Sequence, residues 1–158
     1  MLIALTRRIS PRLADCELTH LQREPIDLVL AERQHGHYLD LLTRVGCSVM
    51  ELKVEPDLPD SVFVEDTAIV LDEVAVMTRP GAASRRPEGE SVAAALKRYR
   101  PLLGIDAPGQ LDGGDVLRIG RRLYVGQSSR SNADGIAQLR ELLARYGYEV
   151  QAVPIREC

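Results

Sequence analysis

Asp112 and Asp115 flank Gly113-Gly114 in the stretch QLDGGDV, directly ahead of an apolar alternation that reads as a strand. Two carboxylates offer several acceptors to a cationic group, and paired glycines let the backbone take unusual dihedrals or approach a ligand closely. The plainer reading is a turn in which each aspartate bonds nearby backbone N–H groups. A second acidic group, Glu65-Asp66, stands in LPDSVFVED, with Asp60 shortly before it. A guanidinium is planar, stays charged near neutrality and carries five donors in a fork, so a cage of several carboxylates is its suitable receptor. Such a cage would also hold the amidine carbon still for attack. Arg85 in GAASRR and Arg130 in GQSSRS carry the opposite charge and could bind a carboxylate; singly, each reads equally as a solvated arginine or a counter-charge to the acids. Acids for one end and arginines for the other describe a free amino acid with a guanidino side chain.

The elements that must position these groups alternate along the chain. Residues 1–6 suit a short strand, followed by a loop to about residue 24. Pro25 fits a first helical turn. IDLVLAERQHGHYLDLLTRV then sets Leu28, Ala31, His35, Tyr38, Leu42 and Val45 at helical spacing, with Gly46 closing the helix. CSVMELKV follows as a strand. TAIVL and VAVMT form an antiparallel hairpin through Asp72-Glu73, and Pro87 and Glu88 open a helix reaching about Arg98. DVLRI and LYVGQ make a second hairpin through Gly120-Arg121-Arg122. Ser131 and Asp134 form a capping-box-like start to a helix with Ile136, Leu139, Leu142, Leu143 and Tyr146 on one face, closed by Gly147, and YEVQAVPI is the last strand.

A shift of 49 residues lays Asp66 on Asp115, Ala68 on Leu117, Val70 on Ile119, Val74 on Leu123 and Val76 on Val125. Each acid introduces a hairpin and each hairpin leads to a helix, so the order strand, strand, helix, strand repeats. Leu5-Thr6-Arg7 echoes Met77-Thr78-Arg79, which makes the first segment the remnant of a similar unit. In a repeated array, equivalent strand entrances converge on one end and their polar residues face a common space.

Composition narrows the partners. The chain has 158 residues, enough for one domain with a real core, and 20 basic against 23 acidic residues mixed along it for a net charge of -3. No basic run invites nucleic acid or an anionic membrane, and no apolar run approaches a membrane span, so a small-molecule partner in the cytoplasm is expected. Cys16, Cys47 and Cys158 have no paired spacing, and His20, His35 and His37 lack zinc-ligand spacing around them, so no structural metal is indicated.

AERQHGHYLDLL, LPDSVFVEDTAIV, TRPGAASRR, LDGGDV and VGQSSRSN, in that order, closely resemble the dimethylarginine dimethylaminohydrolase family, over nearly the whole chain. LPDSVFVED and TRPGAASRR carry the specificity, whereas LDGGDV is shared more loosely with arginine deiminase and amidinotransferase relatives. The resemblance implies an α/β pentein fold, a five-bladed propeller of ββαβ units around a central site. It also implies substrate contacts from Leu18 in a loop over the site, from Asp60, Glu65 and Asp66, and from Arg85 and Arg130 at the amino-acid end. Asp112 would be the acid that helps hold the guanidinium and the catalytic histidine. The implied reaction hydrolyses Nω-methylated arginine to citrulline and a methylamine. A thiolate attacks the guanidinium carbon, the amine leaves with a proton from histidine, and water completes the turnover without a cofactor.

The family's histidine and nucleophilic cysteine belong to later blades, beyond a segment that would begin near Arg156-Glu157-Cys158. The chain is therefore expected to be a single incomplete propeller domain with about three of the five blades. By itself it should be inactive, and either self-associate or be completed by a C-terminal segment. Cys158 precedes the histidine segment and is not the expected nucleophile. Cys47 reads as core, and Cys16 with His20 four residues away lacks a third orienting group. The alternatives are a non-catalytic arginine-binding or assembly module, and an arginine deiminase or amidinotransferase relative.

Overall fold

The computed structural model describes residues 2–18 and 22–155, so His20 and Cys158 lie outside the described residues. The chain divides into two compact units, residues 1–64 and residues 65–158.

The first unit is a β-α-β element. β1 (Leu2–Arg7) and β2 (Cys47–Leu52) pair in parallel, from Leu2 with Cys47 to Arg7 with Leu52, and α1 (Leu28–Arg44) connects them. The helix starts later than the position of Pro25 suggests. Asp27 caps it, its Oδ1 accepting the Leu30 N–H at 3.0 Å, because a carboxylate there satisfies one of the first-turn N–H groups that have no partner within the helix. The inward stripe also differs from the expected one. Leu28, Ala31, His35, Leu39 and Leu42 are partly buried, while Tyr38 and Val45 are 51% and 74% exposed. At 3.6 residues per turn a stripe keeps its heading through steps of three and four, and the step from His35 to Tyr38 takes it off line where Leu39 keeps it. Gly46 closes the helix as expected, at φ 90°.

The second unit holds two ββαβ repeats. In one, β3 (Ala68–Val70) pairs antiparallel with β4 (Ala75–Met77), α2 (Gly89–Leu96) crosses over, and β5 (Leu102–Gly104) pairs parallel with β4. In the other, β6 (Val116–Ile119), β7 (Arg122–Gln127), α3 (Ala133–Ala144) and β8 (Glu149–Pro154) repeat this order and these senses. The middle strand of each sheet is the most deeply buried: Ala75 and Val76 in the first, with Val74 just ahead of it, and Leu123 and Val125 in the second. Val74, Val76, Leu123 and Val125 join Leu111, Ile136, Leu139 and Leu143 in one apolar core, which burial of a fully apolar face favours by about 25 cal/mol per Å².

The repeat is real, yet its register is not uniform. Ile69 pairs with Val76 and Val116 with Val125, so if Val76 matches Val125 at a shift of 49, Ile69 matches Val116 at a shift of 47 (116 − 69). Between these matched pairs the second hairpin holds two more residues than the first, 9 positions (125 − 116) against 7 (76 − 69), and its turn passes through Gly120 at φ 60°. Pro87 and Glu88 belong to a 3-10 turn, Ala83–Glu88, and α2 begins only at Gly89. Asn132, not Ser131, caps α3, accepting the Gly135 N–H at 2.8 Å. β5, three residues long after Pro101, was implied by the repeat without being located in the sequence.

Candidate functional site

In the second unit each hairpin is preceded by an acidic 3-10 turn. Val64–Thr67 carries Glu65 and Asp66, and Gly113–Asp115 carries Asp115 with Asp112 just ahead of it. The two turns sit against each other. A side-chain carbon on Gly113 would lie 2.0 Å from the Glu65 carbonyl oxygen, and one on Gly114 would lie 2.4 Å from Asp66 Oδ1. Neither glycine takes a left-handed dihedral; the positive angles fall at Gly46, Gly120 and Gly147. The double glycine is thus required by close approach, and what approaches is the neighbouring repeat rather than a ligand.

That packing gives the two aspartates of QLDGGDV different fates. Asp115 is saturated: Ser128 and Ser131 donate to its Oδ2 at 3.0 and 2.7 Å, and Arg130 Nη2 donates to its Oδ1 at 2.6 Å. This is the shaping role of a turn acid. Asp112 is 2% exposed, its N–H is taken by Ser131 Oγ at 3.1 Å, and its Oδ1 has no hydrogen-bond partner. Its Oδ2 lies 3.7 Å from Arg130 Nε. Burial, and then the charge of Asp66, push the Asp112 carboxyl up to about 6. A buried acid with an unmet acceptor would gain from a cationic N–H donor.

Asp66 anchors the other wall. Its Oδ1 accepts the Gly114 N–H at 3.0 Å and its Oδ2 accepts Arg85 Nη1 at 2.7 Å. Arg85 is buried with Glu88, whose carboxylate receives Arg85 Nε and Nη2. Although desolvation works against the Arg85 charge, the hydrogen bonds it donates to Glu88 and Asp66 hold its pKa above the ordinary value. Glu65 stands exposed beside Asp66, its carboxyl raised by partial desolvation. Around this region Asp66, Asp115, Glu65 and Glu88 outnumber Arg85 and Arg130, which favours a cation.

The structure thus gathers Glu65, Asp66, Arg85, Asp112 and Arg130 in one unit. Leu18 and Asp60 belong to the other. Both oxygens of Asp60 accept the Glu17 N–H, at 3.2 and 3.1 Å, so this buried acid fastens the loop one residue before the exposed Leu18. Cys16 is buried in that loop, and Cys47, expected in the core, is only partly buried at the start of β2. Sequence reasoning did not assign Glu88, Ser128 or Ser131 to the site. Glu88 had a signal, three residues after Arg85 in a helical turn; the serines had none beyond GQSSRS itself. Among the described residues no cluster of His, Cys, Asp and Glu could hold a metal, and no helix is long and apolar enough to cross a membrane.

No protein-family model matches the chain. The dimethylarginine dimethylaminohydrolase of Streptomyces coelicolor is 46% identical over 153 residues, covering 96% of this chain and 59% of that protein. Its counterpart in Pseudomonas aeruginosa is 35% identical, covering 83% of this chain and 52% of that protein. The solved Pseudomonas aeruginosa structure, a cysteine-to-serine mutant complexed with citrulline, superposes with a TM-score of 0.93 at 31% identity over 100% of this chain and 63% of that one. The N-terminal domain of ArgZ, a cyanobacterial arginine dihydrolase, shares the fold at a TM-score of 0.82 and 21% identity. The fold and its relatives define an α/β protein of the pentein class. Within that class the chain belongs to the dimethylarginine dimethylaminohydrolase family. It spans 59% and 52% of the lengths of these two relatives.

Proposed function

We propose that this chain supplies the guanidinium-holding wall of a cytoplasmic site that binds Nω-methylated arginine, and that the whole protein hydrolyses it to citrulline and a methylamine. The observation that carries this reading is Asp112, a buried acid with an unpartnered oxygen beside Asp66, set where a cation would satisfy both. In this reading Glu65, Asp66 and Asp112 face the guanidinium end of the ligand, and Arg85 and Arg130 face its carboxylate.

The acids can hold the guanidinium carbon in place, but splitting its C–N bond needs a thiolate and a proton for the departing amine. Neither described cysteine is cast for the first role: Cys16 is buried in the Asp60-fastened loop and Cys47 opens a strand. The nucleophile and the leaving-group acid are therefore assigned to residues outside this chain, brought by a C-terminal segment that completes a single propeller domain.

Calorimetry with methylarginine on the purified chain, alongside a citrulline assay, tests the reading. Saturable binding without citrulline is expected. No binding would sink the site. Citrulline abolished by Cys16→Ala would move the nucleophile into this chain.

A further inference from the structure

Glu88 was read in the sequence as a helix-opening residue, yet it carries the firmest grip on the buried cation of the site. Its Oε2 receives Arg85 Nη2 at 2.9 Å and Arg85 Nε at 3.2 Å, and its Oε1 lies 3.3 Å from Nε. Both side chains are almost fully buried, 8% and 2% exposed. A carboxylate that takes one edge of a guanidinium fixes its plane, because rotation breaks two charge-assisted bonds at once, whereas a one-bond contact such as that of Nη1 to Asp66 constrains it less. Asp66, by contrast, has anchors of its own in the Gly114 N–H and in Thr78 Oγ1, which donates to the Asp66 carbonyl at 2.6 Å.

The equivalent arginine of the next repeat has no such clamp. Arg130 meets Asp115 through Nη2 alone, its Nε lies 3.7 Å from Asp112, and its side chain is 43% exposed. Glu88 is therefore what sets Arg85 apart from its repeat-mate.

We propose that Glu88 is a positioning residue, holding the Arg85 guanidinium in the plane from which it meets the carboxylate of a guanidino amino acid. This rests on the proposed function, which puts Arg85 at the amino-acid end. Since Asp66 keeps its other anchors, losing Glu88 should be felt at the carboxylate end and not at the guanidinium end.

The test compares Glu88→Gln with the unaltered chain by calorimetry, using methylarginine and methylguanidine, which lacks the carboxylate. The expected result is about tenfold weaker binding of methylarginine, equivalent to about 1.4 kcal/mol, with methylguanidine unchanged. Equal losses for both ligands would mean that Glu88 serves only the packing, and tighter methylarginine binding would mean that it serves only to neutralise Arg85; either overturns the proposal. Should Glu88→Gln fail to fold, the double variant Arg85→Met, Glu88→Met removes both charges while keeping volume. A loss confined to methylarginine supports the proposal, whereas affinities like those of the unaltered chain overturn it. Failure of the unaltered chain to bind either ligand would instead refute the site itself, and so separates the two.

Discussion

Asp66 with Arg85 and Asp115 with Arg130 are the same acid–arginine pair at matching places in two repeats, at 2.7 and 2.6 Å. Their surroundings differ. Arg85 is walled in and neutralised on a second side by Glu88, while Arg130 stands half in solvent. On the acid side the contrast reverses: Asp115 spends its oxygens on Ser128, Ser131 and Arg130, and Asp66 receives Arg85 and one backbone N–H. A repeat can therefore keep a pair in place while dividing its duties, one arginine held in a fixed plane by a second acid and the other left half in solvent.

The sharpest way to break this comparison is to remove each arginine in turn. Arg85→Met should cost about 3–5 kcal/mol in urea unfolding, because it strands the buried Glu88 charge. Arg130→Met should cost less, under about 1 kcal/mol, since Arg130 is 43% exposed and Ser128 and Ser131 still donate to the buried Asp115. Similar losses would mean that the two pairs are equivalent after all.

The next largest effect comes from the seat between the repeats. Gly113→Ala puts a carbon 2.0 Å from a backbone oxygen, which no rotamer change relieves, and should cost about 3 kcal/mol by the same measurement. A loss below about 1 kcal/mol would show that the two acidic turns are not locked together.

Asp112 offers a pH test of intermediate size. Its carboxyl, held at about 6 in the folded chain against 3.8 for the ordinary group, binds a proton more tightly folded than unfolded. That stabilisation is present in full below pH 3.8 and is lost as pH rises through about 6. Thermal midpoints from pH 4 to 7 should fall for the unaltered chain relative to Asp112→Asn, by an amount on the order of 2 kcal/mol. Methylarginine binding should strengthen over the same interval as Asp112 ionises. Parallel profiles for the two proteins would remove Asp112 from the account.

A modest effect is expected at Ser131, whose hydroxyl accepts from the Asp112 N–H and donates to Asp115. Ser131→Ala should cost about 1–2 kcal/mol. It should also loosen Arg130, visible as faster side-chain relaxation by NMR than for Arg85; unchanged Arg130 relaxation would uncouple the serine from the arginine.

Much of this was legible in the residues. The ββαβ order follows from alternation and from two acids in the same register, and the α3 face was read correctly because Ile136, Leu139 and Leu143 keep strict helical steps. The errors are local. Asn132 took the cap expected of Ser131, and Asp27 caps a helix that was expected to have Pro25 in its first turn, since which polar residue caps a helix depends on a backbone angle that sequence does not state. Leu39 replaced Tyr38 because the stripe steps by four after His35, where a step of three was expected. β5 escaped because three residues carry no period. The division between Asp112 and Asp115 was beyond reach, for it depends on serines thirteen to nineteen residues on and on a turn from the preceding repeat.

The contact between Gly113 and the Glu65 carbonyl has a consequence for descent. Two duplicated segments usually drift apart independently, each accepting changes that suit its own strands. Here the glycine of one copy is the mould of the other copy's acidic turn, so a side chain gained at Gly113 cannot be tolerated until the chain at Glu65 has moved away. The two copies are bound to change together at this seam while remaining free elsewhere, and an ancestral recombination that cut between them would have had to carry both halves of the mould or lose the site.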